Sequence, residues 1–209
     1  MDKEQLLRHL QCSGYLKSES VAAAMRSVPR EVFVPDYLKP HAYEDRPLSI
    51  GSGQTISAPH MVAIMLEALD LHPRQRVLEV GTGTGYHAAV VATVVSPGPV
   101  YTVERIPELA EKARRNLQQM GLDNVTVVVS DGSVGLPEHA PYHRIYATCS
   151  TPTVPQPLID QMALQGKMII PVGSTYSNLM LIEKNERIRR TNLGGCAFVP
   201  MIGTGGHRE

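Results

Sequence analysis

Val77-Leu78-Glu79-Val80-Gly81-Thr82-Gly83-Thr84-Gly85-Tyr86 joins a short apolar run to three glycines at alternate positions. The run predicts a buried strand, and the glycines predict a tight turn whose backbone a flat, polar cofactor can approach without meeting side chains. Tyr86 and His87 follow Gly85, so the spacing is G-x-G-x-G and not the G-x-G-x-x-G that cradles a dinucleotide pyrophosphate. That spacing disfavours a nicotinamide cofactor. Glu79 leads into the turn, and Glu104 closes the next apolar run, Val100-Tyr101-Thr102-Val103. A carboxylate about 20 residues beyond such glycines is placed to accept hydrogen bonds from ribose hydroxyls. A nucleoside cofactor follows. The plainer alternatives are a ligand-free strand-to-helix turn at the glycines and a solvated Glu104 paired with Arg105.

Outward from this stretch the pattern alternates. Strands are expected at 76 to 80, 100 to 104, 125 to 129, 144 to 148 and 167 to 171, with helices at 86 to 95, 107 to 120 and 156 to 164. Such alternation predicts an α/β fold, a Rossmann-like doubly wound, mainly parallel sheet with helices on both faces. Two further runs, 179 to 183 and 196 to 201, are expected as antiparallel strands finishing the sheet. Upstream, apolar residues at helical spacing predict two helices between Lys3 and Arg30, with Ser18 capping the second. Residues 31 to 56 read as an ordered loop rich in Pro, Gly and Tyr, and Ser57 and Pro59 open a helix through Leu69. The whole chain, 1–209, is expected to form one domain, divided into N-terminal helices and a substrate and cofactor loop (1–57), a cofactor-binding core (58–173) and C-terminal strands (174–209).

At 209 residues and 43% apolar content the chain can bury one sizeable core, whereas two would be cramped. Lys+Arg and Asp+Glu both number 20, so no broad field recruits nucleic acid or an anionic membrane. Aromatic residues make up 5% with no tryptophan, which leaves few platforms for stacking bases. Arg187, Arg189 and Arg190 fit protection of a sheet edge. Cys12, Cys149 and Cys196 are odd in number and widely spaced, which suits reduced thiols in a cytoplasm. The charged N-terminus lacks the apolar segment of a signal peptide, and the longest small-apolar run is far short of the ~20 residues that span a bilayer. His60, His87, His139 and His143 show no metal-ligand spacing, and no metal is expected. Cys149-Ser150 has no adjacent base that would make either a nucleophile.

The Glu79 and glycine pattern resembles the first motif of S-adenosylmethionine-dependent methyltransferases. Three upstream segments sharpen this: Arg30-Glu31-Val32-Phe33-Val34-Pro35, Ala42-Tyr43-Glu44-Asp45, and Pro47-Leu48-Ser49-Ile50-Gly51-Ser52-Gly53-Gln54-Thr55-Ile56-Ser57-Ala58-Pro59-His60-Met61. They resemble the signature region of protein-L-isoaspartate O-methyltransferases. The likeness continues through Asp131-Gly132, the Val154-Pro155 to Leu158 segment, Gly166 to Gly173 and Phe198-Val199-Pro200, from about residue 20 to residue 202. It implies methyl transfer from S-adenosylmethionine, leaving S-adenosylhomocysteine, to the free carboxylate of an L-isoaspartyl residue in a damaged protein or peptide. The ester would then close to a succinimide that hydrolyses partly to aspartate.

By that resemblance Ser57 is the catalytic serine. Gln54, Thr55, Ile56, Ser57, Glu79, Gly81, Thr82, Gly83, Gly85, Glu104, Asp131 and Gly132 would hold the cofactor, with Asp131-Gly132 on the adenine side. The Gln54 to His60 loop, through Ile56, Ala58 and His60, and the 149 to 153 loop, through Cys149 and Ser150, would wall the acceptor site. From spacing alone Ser57 reads first as a helix N-cap, and Asp131-Gly132 as an ordinary turn. Transfer to an anion needs no strong base, so the expected tasks are in-line positioning and removal of water, with backbone N–H groups at the turn into the helix and the Ser57 hydroxyl converging on the carboxylate. The chain departs from the family pattern at His143, where an aspartate is usual, at Ser130, where a glycine is usual, and at Ala147-Thr148-Cys149-Ser150-Thr151. These changes fall on the acceptor side and leave open a dedicated aspartyl-peptide methyltransferase, or a protein that binds the cofactor without turnover. A monomer acting on protein or peptide, with neither nucleic acid nor membrane as partner, is expected.

Overall fold

The computed structural model describes residues 1–174 and 176–208. Its centre is a seven-stranded sheet built from β3 (Val77–Val80), β4 (Val100–Glu104), β5 (Val125–Val129), β6 (Tyr142–Ala147), β7 (Met162–Gly173), β8 (Ser177–Lys184) and β9 (Ile188–Cys196). The order is β5-β4-β3-β6-β7-β8-β9; the first five strands run parallel and the last two are antiparallel additions. β3 is buried along its whole length, as expected of a central parallel strand covered on both faces. Val77 packs into the core on one side of the sheet and Leu78 into the core on the other.

The larger core joins the sheet to α1 (Lys3–Cys12), α2 (Glu19–Ser27), α3 (Pro59–Leu69), α4 (Tyr86–Val95) and α5 (Pro107–Gln119). α4 is apolar almost all round, because other elements enclose it, whereas α5 buries only Leu109, Ala110, Ala113, Asn116 and Leu117. The opposite core is smaller and closes over α6 (Gln156–Asp160) with Leu158 and Ile159. The chain leaves β3 for β4 on one side, while β6 lies on the other. Such a reversal opens a crevice beyond the carboxyl ends of the strands.

Several local expectations need correction. Residues 31 to 56 are not simple loop: they hold 3-10 turns at Arg30–Phe33 and Asp36–His41 and a hairpin, β1 (Leu48–Gly51) with β2 (Gln54–Ile56). Ser52 and Gly53, both at positive φ, make its turn. The helix expected at 156 to 164 stops at Asp160, and β7 begins at Met162, five residues before the expected start at 167. The last strand is Ile188–Cys196, not 196 to 201; Pro200 instead bridges Ser150. Ser18 stands at the N-cap of α2 without capping it, and its hydroxyl donates to Glu67 Oε1 at 2.9 Å. Nor does Ser57 cap α3: the N-cap is Ala58, with Pro59 in the first turn.

Candidate active site

Gly81, Gly83 and Gly85 all have positive φ, at 94°, 55° and 93°. They serve different ends. A Cβ at Gly81 would land on Thr148 Oγ1, which donates to the Gly81 carbonyl and so ties the end of β3 to the end of β6. Gly83 N–H donates to Glu104 Oε2 at 2.9 Å, while Glu104 Oε1 accepts from Ile106 N–H at 3.0 Å. That carboxylate therefore braces the turn against the end of β4. A Cβ on Gly85 would touch Ala113 and Leu117, so this glycine is spent on packing α5 against the turn and lies away from the crevice.

The crevice encloses about 540 Å³, including space open to solvent. Gln54, Thr55, Gly81, Gly83, Glu104 and Gly132 supply its polar edge; Val103, Ile106, Met201 and Ile202 supply apolar walls. At Gly132 a Cβ would stand 2.5 Å from Val80 Cγ1, so only glycine fits there. Asp131 does not line this space. Its carboxylate accepts from Ser133 N–H at 2.9 Å and Thr204 N–H at 2.7 Å, pinning the C-terminal segment across one end of the crevice. Partial burial would raise its pKa, yet the Ser133 and Thr204 hydrogen bonds hold it below the ordinary carboxylate value.

Behind the turn lies a chamber of about 330 Å³ lined by Ile56, Ser57, Glu79, Thr82, Thr84 and His87, among others. Glu79 is fully buried, and its Oε2 accepts from Thr102 Oγ1, which in turn bonds Thr82 Oγ1 at 2.6 Å. Glu79 Oε1, Thr84 Oγ1, both ring nitrogens of His87 and the Tyr146 hydroxyl are buried without partners among the described residues. Burial pushes the Glu79 carboxyl up to about 8 against the Thr102 hydroxyl, with the Glu104 carboxylate adding to the rise. Burial, helped by the Arg30 charge, draws His87 down to about 3. The chamber thus presents a neutral imidazole and a carboxyl ready to ionise when a cation arrives.

A third, outer pocket is formed by Pro47, Thr55, Ser57, Ala58, His60 and Met61 facing Gly195, Cys196, Ala197 and Phe198. Thr55 borders all three spaces, and Ser57 borders the chamber and the outer pocket. The Ser57 carbonyl accepts from Arg30 Nη2 at 2.8 Å, while its hydroxyl makes no hydrogen bond to any described residue. The backbone donors opening α3 are already used, His60 N–H by Asp45 Oδ1 at 2.8 Å and Met61 N–H by the Ala58 carbonyl at 3.0 Å. The Ser57 hydroxyl stays available to an anion. His60 Nδ1 also meets Asp45 Oδ1, at 2.9 Å, which fixes the ring at the pocket wall.

Cys149 lines the main crevice, its thiol pKa raised by burial, and Ser150 is fully buried with its N–H bonded to the Val199 carbonyl. Residues 195–198 line the outer pocket opposite the Gln54 to His60 loop. Sequence reading also missed Val103, Ile106, Met201 and Ile202 as crevice walls. Phe198-Val199-Pro200 was the available signal for this segment, but nothing in its spacing says that the chain folds back over β2. Among the described residues no cluster of His, Cys, Asp or Glu could hold a metal, and no helix is long and apolar enough to cross a membrane.

The donor set suits a sulfonium nucleoside: two carboxylates for cationic and hydroxyl groups, glycines where any Cβ would intrude, and apolar walls for a flat base. Comparison with known proteins agrees. The family model described as Protein-L-isoaspartate(D-aspartate) O-methyltransferase (PCMT) matches residues 1–206. A protein-L-isoaspartate O-methyltransferase of Methanopyrus kandleri is 56% identical over 212 residues, covering 99% of this chain and 94% of the relative. Its counterpart in Hyperthermus butylicus is 54% identical over 219 residues, covering 99% and 91%. A solved protein-L-isoaspartate O-methyltransferase superposes with a TM-score of 0.91 at 32% identity, over 98% of this chain and 67% of that one. The structure described as that of a Plasmodium falciparum enzyme of the same kind, in complex with S-adenosyl-L-homocysteine, gives 0.86 at 26% identity, over 97% and 99%. By sequence and by fold, the chain belongs to the protein-L-isoaspartate O-methyltransferase family.

Proposed function

We propose that this protein methylates the free carboxylate of L-isoaspartyl residues in damaged proteins and peptides, with the donor along the glycine crevice and the acceptor entering by the outer pocket. The observation that carries the layout is Ser57, whose uncommitted hydroxyl stands where the chamber and the outer pocket adjoin. Bound S-adenosylmethionine supplies an activated methyl group. Gly81, Gly83 and Glu104 would hold it along the crevice, with Gly132, Val103, Ile106, Met201 and Ile202 at the nucleoside end and Glu79, Thr82 and the chamber toward the cationic end. The chain's own work is positional. An acceptor carboxylate is already an anion at neutral pH, so no residue need remove a proton from it. Ser57 donates to one carboxylate oxygen and leaves the other facing the crevice. His60, steadied by Asp45, lines the approach, and Phe198 with Ala197 keeps water from the reacting oxygen.

We also propose a monomer working in a cytoplasm, where Cys12, Cys149 and Cys196 would stay reduced. Ser57→Ala tests the layout. Turnover on an isoaspartyl peptide should fall by about 100-fold or more while donor affinity, read by calorimetry, stays within about threefold. Unchanged turnover in a folded variant would remove Ser57 from the reaction.

A further inference from the structure

Arg30 opens the first 3-10 turn and is fully buried. Its Nε donates to the Ala42 carbonyl at 2.9 Å and its Nη2 to the Ser57 carbonyl at 2.8 Å. The guanidinium carbon stands 4.9 Å from the centre of the Tyr86 ring, and Tyr86 itself lines the chamber. Nη1 is buried with no partner among the described residues, and none of these contacts is a carboxylate. Two carbonyls can be held by a neutral amide. A permanent charge buried with no carboxylate in contact, Asp45 acting on it only from a distance, costs stability, and holding loops together does not require it. Directly in front of this charge, one residue away, lies the pocket read above as the seat of an anion.

We infer that Arg30 is a positioning residue for the acceptor: it fixes the Ser57 backbone through Nη2, and its charge, which no carboxylate contacts, makes the Ser57 pocket select an anionic carboxylate. The inference rests on the reading of that pocket as the acceptor site. It assigns the two halves of the guanidinium separable tasks. The fork sets where the Ser57 hydroxyl points, which acts on kcat, and the charge sets how well the free carboxylate is held, which acts on KM. Tyr86 and the Ala42 carbonyl keep the group in place.

The test uses the full chain as wild type, Arg30→Met and Arg30→Lys, assayed with an isoaspartyl peptide and with donor binding followed by calorimetry. Arg30→Met, which removes charge and fork together, should raise the peptide KM about tenfold or more and lower kcat, with donor affinity within about twofold of wild type. Arg30→Lys keeps the charge without the fork, so its KM should stay within about threefold while kcat falls about tenfold. If Arg30→Met does not fold, the lysine variant and wild type carry the test alone. A folded Arg30→Met with wild-type KM and kcat, or an Arg30→Lys with wild-type kcat, overturns the assignment. So does a loss of donor affinity as large as the loss of peptide turnover, which marks a general structural role. Wild-type protein inactive on the isoaspartyl peptide would instead sink the reading of the site itself.

Discussion

Donor binding should release a proton, and Glu79 should be its source. The carboxyl is fully buried, with one oxygen bonded to Thr102 and the other without a partner. Around it stand Glu104 from β4, Tyr146 from β6, His87 from α4 and the thiol of Cys149, none of them a cation. Its pKa therefore rises from 4.5 to about 8, which at about 1.4 kcal/mol per pH unit is roughly 5 kcal/mol in favour of the neutral form. At pH 7 the donor-free protein holds this proton. A ligand carrying an ammonium and a sulfonium restores the ionised form, so its apparent affinity should climb with pH up to about 8 and level off above. The linkage to folding has the same sign: between 4.5 and about 8 the native state holds a proton that the unfolded chain lacks, so this group's contribution to stability declines as pH rises. Calorimetry at pH 7 in two buffers of different ionisation enthalpy reads the proton directly. Wild type should release close to one proton per donor bound, and Glu79→Gln should release almost none and lose the pH dependence. Equal heats in both buffers for wild type, or an unchanged pH profile in the glutamine variant, would refute the reasoning.

Other expectations follow from the same geometry. Gly81→Ala forces a Cβ onto Thr148 Oγ1 at a φ of 94°; it should cost about 2 to 4 kcal/mol in urea unfolding and at least about 100-fold in donor affinity. Glu104→Gln keeps an acceptor for only one of the Gly83 and Ile106 N–H groups and turns an amide NH2 toward the other, so donor affinity should fall about tenfold or more and stability by about 1 to 3 kcal/mol in urea unfolding. His87 stays neutral in the fold down to about 3, against 6.5 for an ordinary imidazole. Its contribution to stability is therefore present above about 6.5 and is lost as pH falls toward 3, and His87→Phe should blunt acid unfolding followed by circular dichroism.

Much of the fold was legible because its central strands and helices carry unmixed signals. Val77–Val80 and Val100–Glu104 are short β-branched runs ended by turn chemistry, and Pro107–Gln119 has one apolar stripe. The misreadings share a cause. In Met162–Gly173 the first residues, Met-Ala-Leu-Gln, have helical propensity, and pairing with Tyr142 on β6 overrides it. Ile188–Cys196 lies at the edge with nearly every residue exposed, so no alternation marks it. The Ser52-Gly53 hairpin turn lacks the usual Asn or Asp. At the site, the glycines and Glu104 could be found from local spacing, because a turn and the strand beside it fix their relation. Asp131 could not: its partner Thr204 is 73 residues away. Nor could the outer wall at 195–198, which only the folding of β9 past β2 brings opposite Ser57. Arg30 illustrates the same limit, since a lone arginine before a short apolar segment says nothing of burial beside an acceptor pocket.

The central claim is that an isoaspartyl carboxylate, and not an ordinary aspartyl side chain, is the methyl acceptor seated at Ser57. Incubation with methyl-labelled S-adenosylmethionine and matched peptides differing only in that linkage tests it most directly. An alkali-labile methyl ester is expected on the isoaspartyl peptide and almost none on its aspartyl twin. Equal labelling of the two peptides, or labelling of neither by folded protein that binds the donor, would contradict it.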